Sequence, residues 1–169
     1  MATANDVLTD SFNRISENVQ RVVGRLSDEQ LAARVAPGAN TVAWLVWHLT
    51  RIMDDHVARA QGDEQVWTRD GWASSFALPF DDRSTGYGHT AEDVASVRVA
   101  ADLLLGYHDA VQAYVRGVVD TLTEDDLDRI VDRRWDPPVT LAVRLVSVVD
   151  DATQHTGQAD YVAGILETR

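Results

Sequence analysis

Four stretches of this chain repeat apolar residues at alternating intervals of four and three, and that rhythm leaves few folds open. In the first, about Asn5 to Leu26, the seam is Leu8, Phe12, Ile15, Val19, Val22 and Leu26. A spacing that averages about 3.5 residues marks a helix buried along one stripe against other helices. The fourth stretch, from near Thr140 to about Glu167, keeps the same beat through Leu141, Leu145, Val148, Ala152, His155, Ala159, Val162 and Leu166. The second follows "PGAN", where Asn40 is a good N-cap, and runs to about Gln61. The third covers roughly Ala100 to Leu122, with Leu103, Tyr107, Ala110, Tyr114 and Val118 inward.

Gln61 and Ala100 bound a long connection scattered with Gly, Pro, Trp and Asp, in which "TAEDVASVRV" reads as a short helix capped by Thr90. Such a length rules out a tight hairpin and fits one crossover connection, with the second and third helices parallel. Ser27 with Gln30 in "LSDEQL" and Thr123 with Asp126 in "LTEDDL" are capping-box signals. They suggest two similar halves packed about a pseudo-two-fold axis. No segment shows convincing strand alternation. The expected fold is an all-α four-helix bundle, in one domain over residues 1–169.

Composition narrows the chemistry. Cysteine is absent, so disulfides, thiolate ligands and a protein-borne sulfur nucleophile are excluded, and any thiol must come from outside. Lysine is absent too, which excludes Schiff-base catalysis through a lysine amine. A net charge of −12 without a basic stripe speaks against nucleic acid and against an anionic membrane surface. No apolar run approaches the roughly 20 residues of a membrane span. "MATANDVLTD" lacks the basic and apolar regions of a signal peptide, so a cytoplasmic location is expected.

The seam of the fourth helix is broken by chemistry. His155 stands where a bundle places Leu or Val, and Asp151 lies four residues earlier on the same face. His48 is the one polar side chain in "VAWLVWHL", an all-apolar and therefore buried run. If the second and fourth helices are antiparallel, counting from Thr41 and Thr140 brings His48 level with His155 and within a turn of Asp151. His56 falls about 12 Å away. Two imidazoles and a carboxylate converging in a bundle make a divalent-metal site with open positions. Zinc is the first expectation, and nickel, iron or manganese suit the same ligand types. The same spacing fits a hydrogen-bonded core histidine with its ion-pair partner, and both accounts stand at this point. Asp54, Asp55 and His56 read as a solvated helix end, His89 as a loop residue, and His108 as exposed. Trp67 and Trp72 could line a pocket mouth.

"NTVAWLVWHLTRIMDDHV", "WDPPVTLAVRLVSVVDD" and "DDATQHTGQADYVAGIL" together resemble the DinB/YfiT-like metalloenzyme superfamily. The resemblance is nearest to a branch related to the metal-binding domain of mycothiol-dependent maleylpyruvate isomerase, and it covers nearly the whole chain. It implies a four-helix bundle of up-down-down-up order and three metal ligands, which fall on His48, Asp151 and His155. Many members carry His or Glu at the position of Asp151, and Asp reaches one methylene less far.

The resemblance also implies a small-molecule substrate and a low-molecular-weight thiol, mycothiol or bacillithiol, as cosubstrate. On this account a metal activates the thiol for S-transfer or isomerisation, and Arg51 or Arg144 could pair with substrate carboxylates. The alternatives are a metal-dependent hydrolase, using Asp54, Asp55 or Gln158 beside the metal, and a non-catalytic metal- or ligand-binding bundle. Bundles of this kind admit a homodimer.

Overall fold

Thr3 opens the first helix, α1 (Ala4–Val23), with a capping box in which its hydroxyl accepts from the Asp6 amide and the Asp6 carboxylate takes the Thr3 amide. The same reciprocal device starts α2 (Asp28–Leu31), where Ser27 and Gln30 supply it. Helix α3 (Val42–Gln61) is capped by Thr41 rather than Asn40; the Thr41 hydroxyl accepts from Trp44 N at 3.2 Å. It ends at Gly62, which adopts the left-handed conformation at φ 79°. The computed structural model describes residues 1–168 and is mostly helical, with one two-stranded sheet.

The connection after α3 holds α4 (Val66–Arg69), α5 (Trp72–Phe76) and α6 (Ala91–Ser96), the last capped by Thr90 as the sequence predicts. Then come α7 (Ala101–Thr121) and α8 (Glu124–Leu127), the second again carrying a capping box, from Thr123 and Asp126. β1 (Ile130–Asp132) and β2 (Val139–Thr140) pair antiparallel before α9 (Leu141–Glu167). That hairpin was not expected. Strands of three and two residues are too short to display an alternating pattern.

The four long helices pack on one another: α3 against α9 and α7, and α1 against α7 and α9. Polar ties mark the levels, Gln20 to Asp109 and Asn13 with Gln112 across α1 and α7, and Tyr114 of α7 to Asp63 just past the end of α3. Helix α3 is buried on nearly every side, as its apolar first half requires. The α1 seam is buried from Phe12 onward, and so is the α9 seam with one exception. His155 is half-exposed, and its neighbour Thr156 takes the core position, returning its hydroxyl to the Ala152 carbonyl. Leu145 is fully buried, and truncation to Ala would cost about 2–5 kcal/mol.

Helix α7 departs from expectation by one residue. Its buried stripe is Leu104, Tyr107, His108, Val111, Val115 and Val119, with Leu103, Ala110, Tyr114 and Val118 half-buried beside it. Because α7 touches both α1 and α3, its apolar face is broad, and a single seam cannot locate the centre. The shift carries His108 into the core, fully buried rather than exposed. Among the described residues, no helix is long and apolar enough to cross a membrane.

Candidate functional site

One pair of polar side chains on α9 and one on α3 meet where those helices pack. His48, Asp151 and His155 each offer a ligand-type atom, and these atoms all lie within 4.8 Å of one another. The imidazoles of His48 and His155 approach edge to face, with centroids 4.7 Å apart. His155 Nε2 stands 3.6 Å from Asp151 Oδ1, too far for a hydrogen bond. His56 is not part of the group.

The orientation of each imidazole follows from its other nitrogen. His48 Nδ1 faces the Thr85 carbonyl, which can only accept, so Nδ1 carries the proton and Nε2 keeps a free lone pair. His155 Nδ1 is paired at 2.9 Å with Gln158 Oε1, one turn along α9, which leaves its Nε2 lone pair toward Asp151. Outer partners of this kind are what fixes imidazoles as metal ligands. Burial, the largest influence, holds the His48 pKa below the ordinary value, opposed by the Thr85 hydrogen bond. A neutral imidazole is the form that ligates.

Asp151 supplies the test of fit. Its side chain is partly exposed, yet Oδ2 is buried without a hydrogen-bond partner. A buried carboxylate oxygen left unpaired is costly, and a cation shared with two imidazole lone pairs is the partner that this donor set suits. Two imidazole nitrogens and one carboxylate oxygen are borderline-hard ligands that leave further coordination positions free.

Around this group α3 and the crossover together form a wall of rings. Trp44 stacks on His48 at 4.7 Å and 11°, and meets His155 edge-on at 6.3 Å. Trp44 Nε1 donates to His89 Nδ1 at 3.1 Å, and His89 Nε2 pairs with the Ser84 hydroxyl at 2.9 Å. Both nitrogens of His89 are therefore engaged, and it holds the loop in place, as a loop residue was expected to. Gly86 sits buried over His48 with φ 97°; a Cβ there would lie 2.7 Å from His48 Nδ1 and 3.1 Å from the Trp44 and Trp47 rings. Sequence reasoning did not single out Thr85 or Gly86. Its one available signal was the pair of glycines in "STGYGHT", which marks a turn without giving its address.

Several other expectations need correction. Asp54 and Asp55 are buried and His56 half-buried, so this is no solvated helix end. The Asp54 carboxylate caps α4 from a distance, accepting from Val66 N at 2.9 Å and Trp67 N at 2.8 Å, where Gln65 offers no side-chain cap. Tyr107 donates to Asp54 Oδ2 at 2.9 Å, and Arg51 Nη1 stands 3.6 Å from it. Arg51 is fully buried and donates to the Ser84 and Asp82 carbonyls and to Gln65 Oε1, with Trp67 against its guanidinium at 4.8 Å. It pins the crossover to α3 and is not free for substrate. Trp67 is core, packed on Phe76 and Tyr107, and with Trp47 and Phe80 it lines a small cavity under the crossover. Trp72 is half-buried against Tyr107.

A family profile described as mycothiol-S-transferase matches residues 7–167. The crystal structure of a conserved protein from Enterococcus faecalis superposes with a TM-score of 0.93, is 29% identical, and covers 100% of both chains. A DinB-like protein from Bacillus cereus superposes with a TM-score of 0.55 at 21% identity, over 92% of this chain and 87% of that one, which speaks for the fold alone. None of the curated proteins matches the sequence.

Proposed function

The chain belongs to the mycothiol-S-transferase family, within the DinB-like superfamily, and from that premise we propose that it is a metal-dependent, thiol-dependent S-transferase or isomerase. The observation that carries the proposal is the convergence of His48, Asp151 and His155, with Asp151 Oδ2 buried and unpaired. These three residues would hold one divalent cation, zinc by preference for this donor set. We read the helix contacts as a four-helix bundle of up-down-down-up order, in which the crossover between α3 and α7 brings Thr85 and Gly86 over His48.

Held by His48, Asp151 and His155, a divalent cation would supply the positive charge that lowers the pKa of a small-molecule thiol toward neutral pH. Everything else falls to the chain. The Thr85 carbonyl and Gln158 keep the protons on the outer nitrogens of His48 and His155, so both lone pairs face inward. Trp44 covers one face of His48 and keeps water from that side. His155 and Asp151 remain partly exposed, which leaves the approach from solvent on the α9 side. Because the chain has no sulfur nucleophile of its own, the attacking sulfur is the cosubstrate's, and the acceptor is an electrophilic carbon.

Metal-loaded protein incubated with mycothiol and monochlorobimane should form the conjugate faster than His48→Ala does. Turnover no higher than that variant's would count against the proposal. A hydrolytic reading has less support. The groups it would recruit beside the metal are engaged elsewhere, Asp54 in capping α4, Asp55 with Gln65 and Arg59, and Gln158 with His155. A non-catalytic metal holder would show stoichiometric metal, removed by His155→Ala, without conjugate formation.

A further inference from the structure

About two helical turns along α3 and α9 from the three-residue group, the chain gathers arginines around a cavity. The cavity, of about 130 Å³, is lined by His56, Arg59, Val131, Asp132, Arg134 and Arg144 among others. His56 lies eight residues beyond His48 on α3, about 12 Å, and Arg144 lies seven before Asp151 on α9, about 10 Å. In a chain of net charge −12, three arginines here face only two carboxylates, Asp132 and Asp55.

Their hydrogen bonding is incomplete. A guanidinium has five N–H donors. Among the described residues Arg144, with its side chain 17% exposed, makes a single hydrogen bond, from Nη2 to Asp132 Oδ2 at 3.1 Å. Arg59, with its side chain 61% exposed, makes one, to Asp55 Oδ1 at 3.4 Å, and water can take its other donors. Arg134 binds Asp132 through two nitrogens, at 3.0 and 2.8 Å. Asp132 thus already presents a carboxylate to two of these arginines, and the Arg134 hydrogen bonds, with a smaller part from Arg144, hold its pKa well below the carboxylate range. The cavity that the three arginines line equals about four waters' share of liquid volume, enough for a carboxylate group.

We propose that this cavity is an oxyanion subsite, which takes the carboxylate of the electrophilic substrate while the reacting carbon sits at His48, Asp151 and His155. The assignment rests on the functional reading above for the position of that carbon; the anion site itself does not. Arg59 and Arg144 are its principal ligands, with Arg134 at the rim, and Val131 closes one wall. The span between the two sites selects an elongated substrate, with about two helical turns between its carboxylate and its electrophilic atom.

The test follows the arginine Nε–Hε resonances of the metal-loaded chain by NMR as succinate is added, with chloride at matched ionic strength as the control. The expected result is saturable shifts at Arg59 and Arg144 with succinate alone, and affinity at least about tenfold weaker in Arg59→Gln and Arg144→Gln. Arg144→Gln also unties Asp132 and could loosen the hairpin. Arg59→Gln leaves both Asp132 pairs in place and decides the matter by itself. Shifts that do not saturate, that chloride reproduces, or that Arg59→Gln leaves unchanged would overturn the subsite. Succinate binding that persists in His48→Ala, with no thiol transfer by the unaltered chain, would sink the functional reading alone. Transfer without succinate binding would sink the subsite alone.

Discussion

Helix α3 carries polar side chains in two directions, and the two sides are built on opposite plans. Toward α7, Arg51 and Asp54 form a closed set: each is fully buried, and each meets partners within the protein, from Tyr107, Gln65, the amides of Val66 and Trp67, and the carbonyls of Asp82 and Ser84. Toward α9, His48 meets Asp151 and His155: the two imidazoles have outer partners only, Asp151 Oδ2 has none, and the inner atoms converge unpaired. A closed network anchors structure, here by holding the crossover against α3. An open one at the surface is where a ligand completes the bonding. The burial of charge alone does not tell the two apart; the partner of each atom does.

Substitution on both sides breaks the comparison most sharply. Asp54→Ala leaves the Arg51 guanidinium buried without its carboxylate and should cost about 3–5 kcal/mol, a fall in Tm on the order of 10 °C. His155→Ala, at a half-exposed position, should change stability by less than about 1 kcal/mol while metal content falls to background. Thermal unfolding of the metal-free proteins, with elemental analysis of the metal-loaded ones, measures both. If Asp54→Ala is the harmless one and His155→Ala unfolds the chain, the two roles are reversed.

How far the sequence reveals these two sides differs for a physical reason. The α9 side was legible because both its residues and their partner interrupt strong apolar runs, and because the counting of helical rises places them level. The long helices were legible by the same periodicity, and the caps at Ser27, Thr90 and Thr123 by local hydrogen-bond chemistry. The α7 side was not. Asp54 is buried because α4, twelve residues further on, turns its amides toward it, and no local pattern announces a cap donated across a loop. The position of His108 depended on a one-residue rotation that a broad apolar face leaves undetermined.

His108 is the loose end of the closed side and sharpens the comparison through pH. Thr50 gives its hydroxyl proton to the Val46 carbonyl and accepts from His108 Nδ1 at 3.0 Å, so His108 Nε2 holds a lone pair, buried and unpartnered. Burial lowers its pKa from 6.5 to about 4. The unfolded chain then binds more protons than the folded one between about pH 4 and 6.5. The neutral ring's contribution to stability is therefore complete above the unfolded value and lost as pH falls toward 4. The loss amounts to about 3 kcal/mol. Denaturant titrations should show this slope reduced in His108→Gln, which cannot protonate. An unchanged slope would mean that another group carries it.

The smallest effect tests whether the open side is held from outside as well as from its own helices. Gly86 has φ 97°, which a residue with a Cβ rarely adopts, and its missing side chain leaves room for His48 Nδ1 and for the Trp44 and Trp47 rings. In Gly86→Ala the new methyl, at 2.7 Å from His48 Nδ1, must push either the imidazole or the loop aside. Either movement breaks the Thr85 hydrogen bond that sets the His48 tautomer and frees the ring to turn its Nε2 away. Loss of such an outer partner typically weakens metal binding by about 10–100-fold. A competition titration with a chromophoric chelator would read that change. Circular dichroism should show the helices unaltered, because residue 86 lies between α6 and the Asp54-capped turns and belongs to none of them. Metal affinity equal to that of the unaltered chain would mean that His48 is oriented by its stacking on Trp44 alone, and that the crossover takes no part in the site.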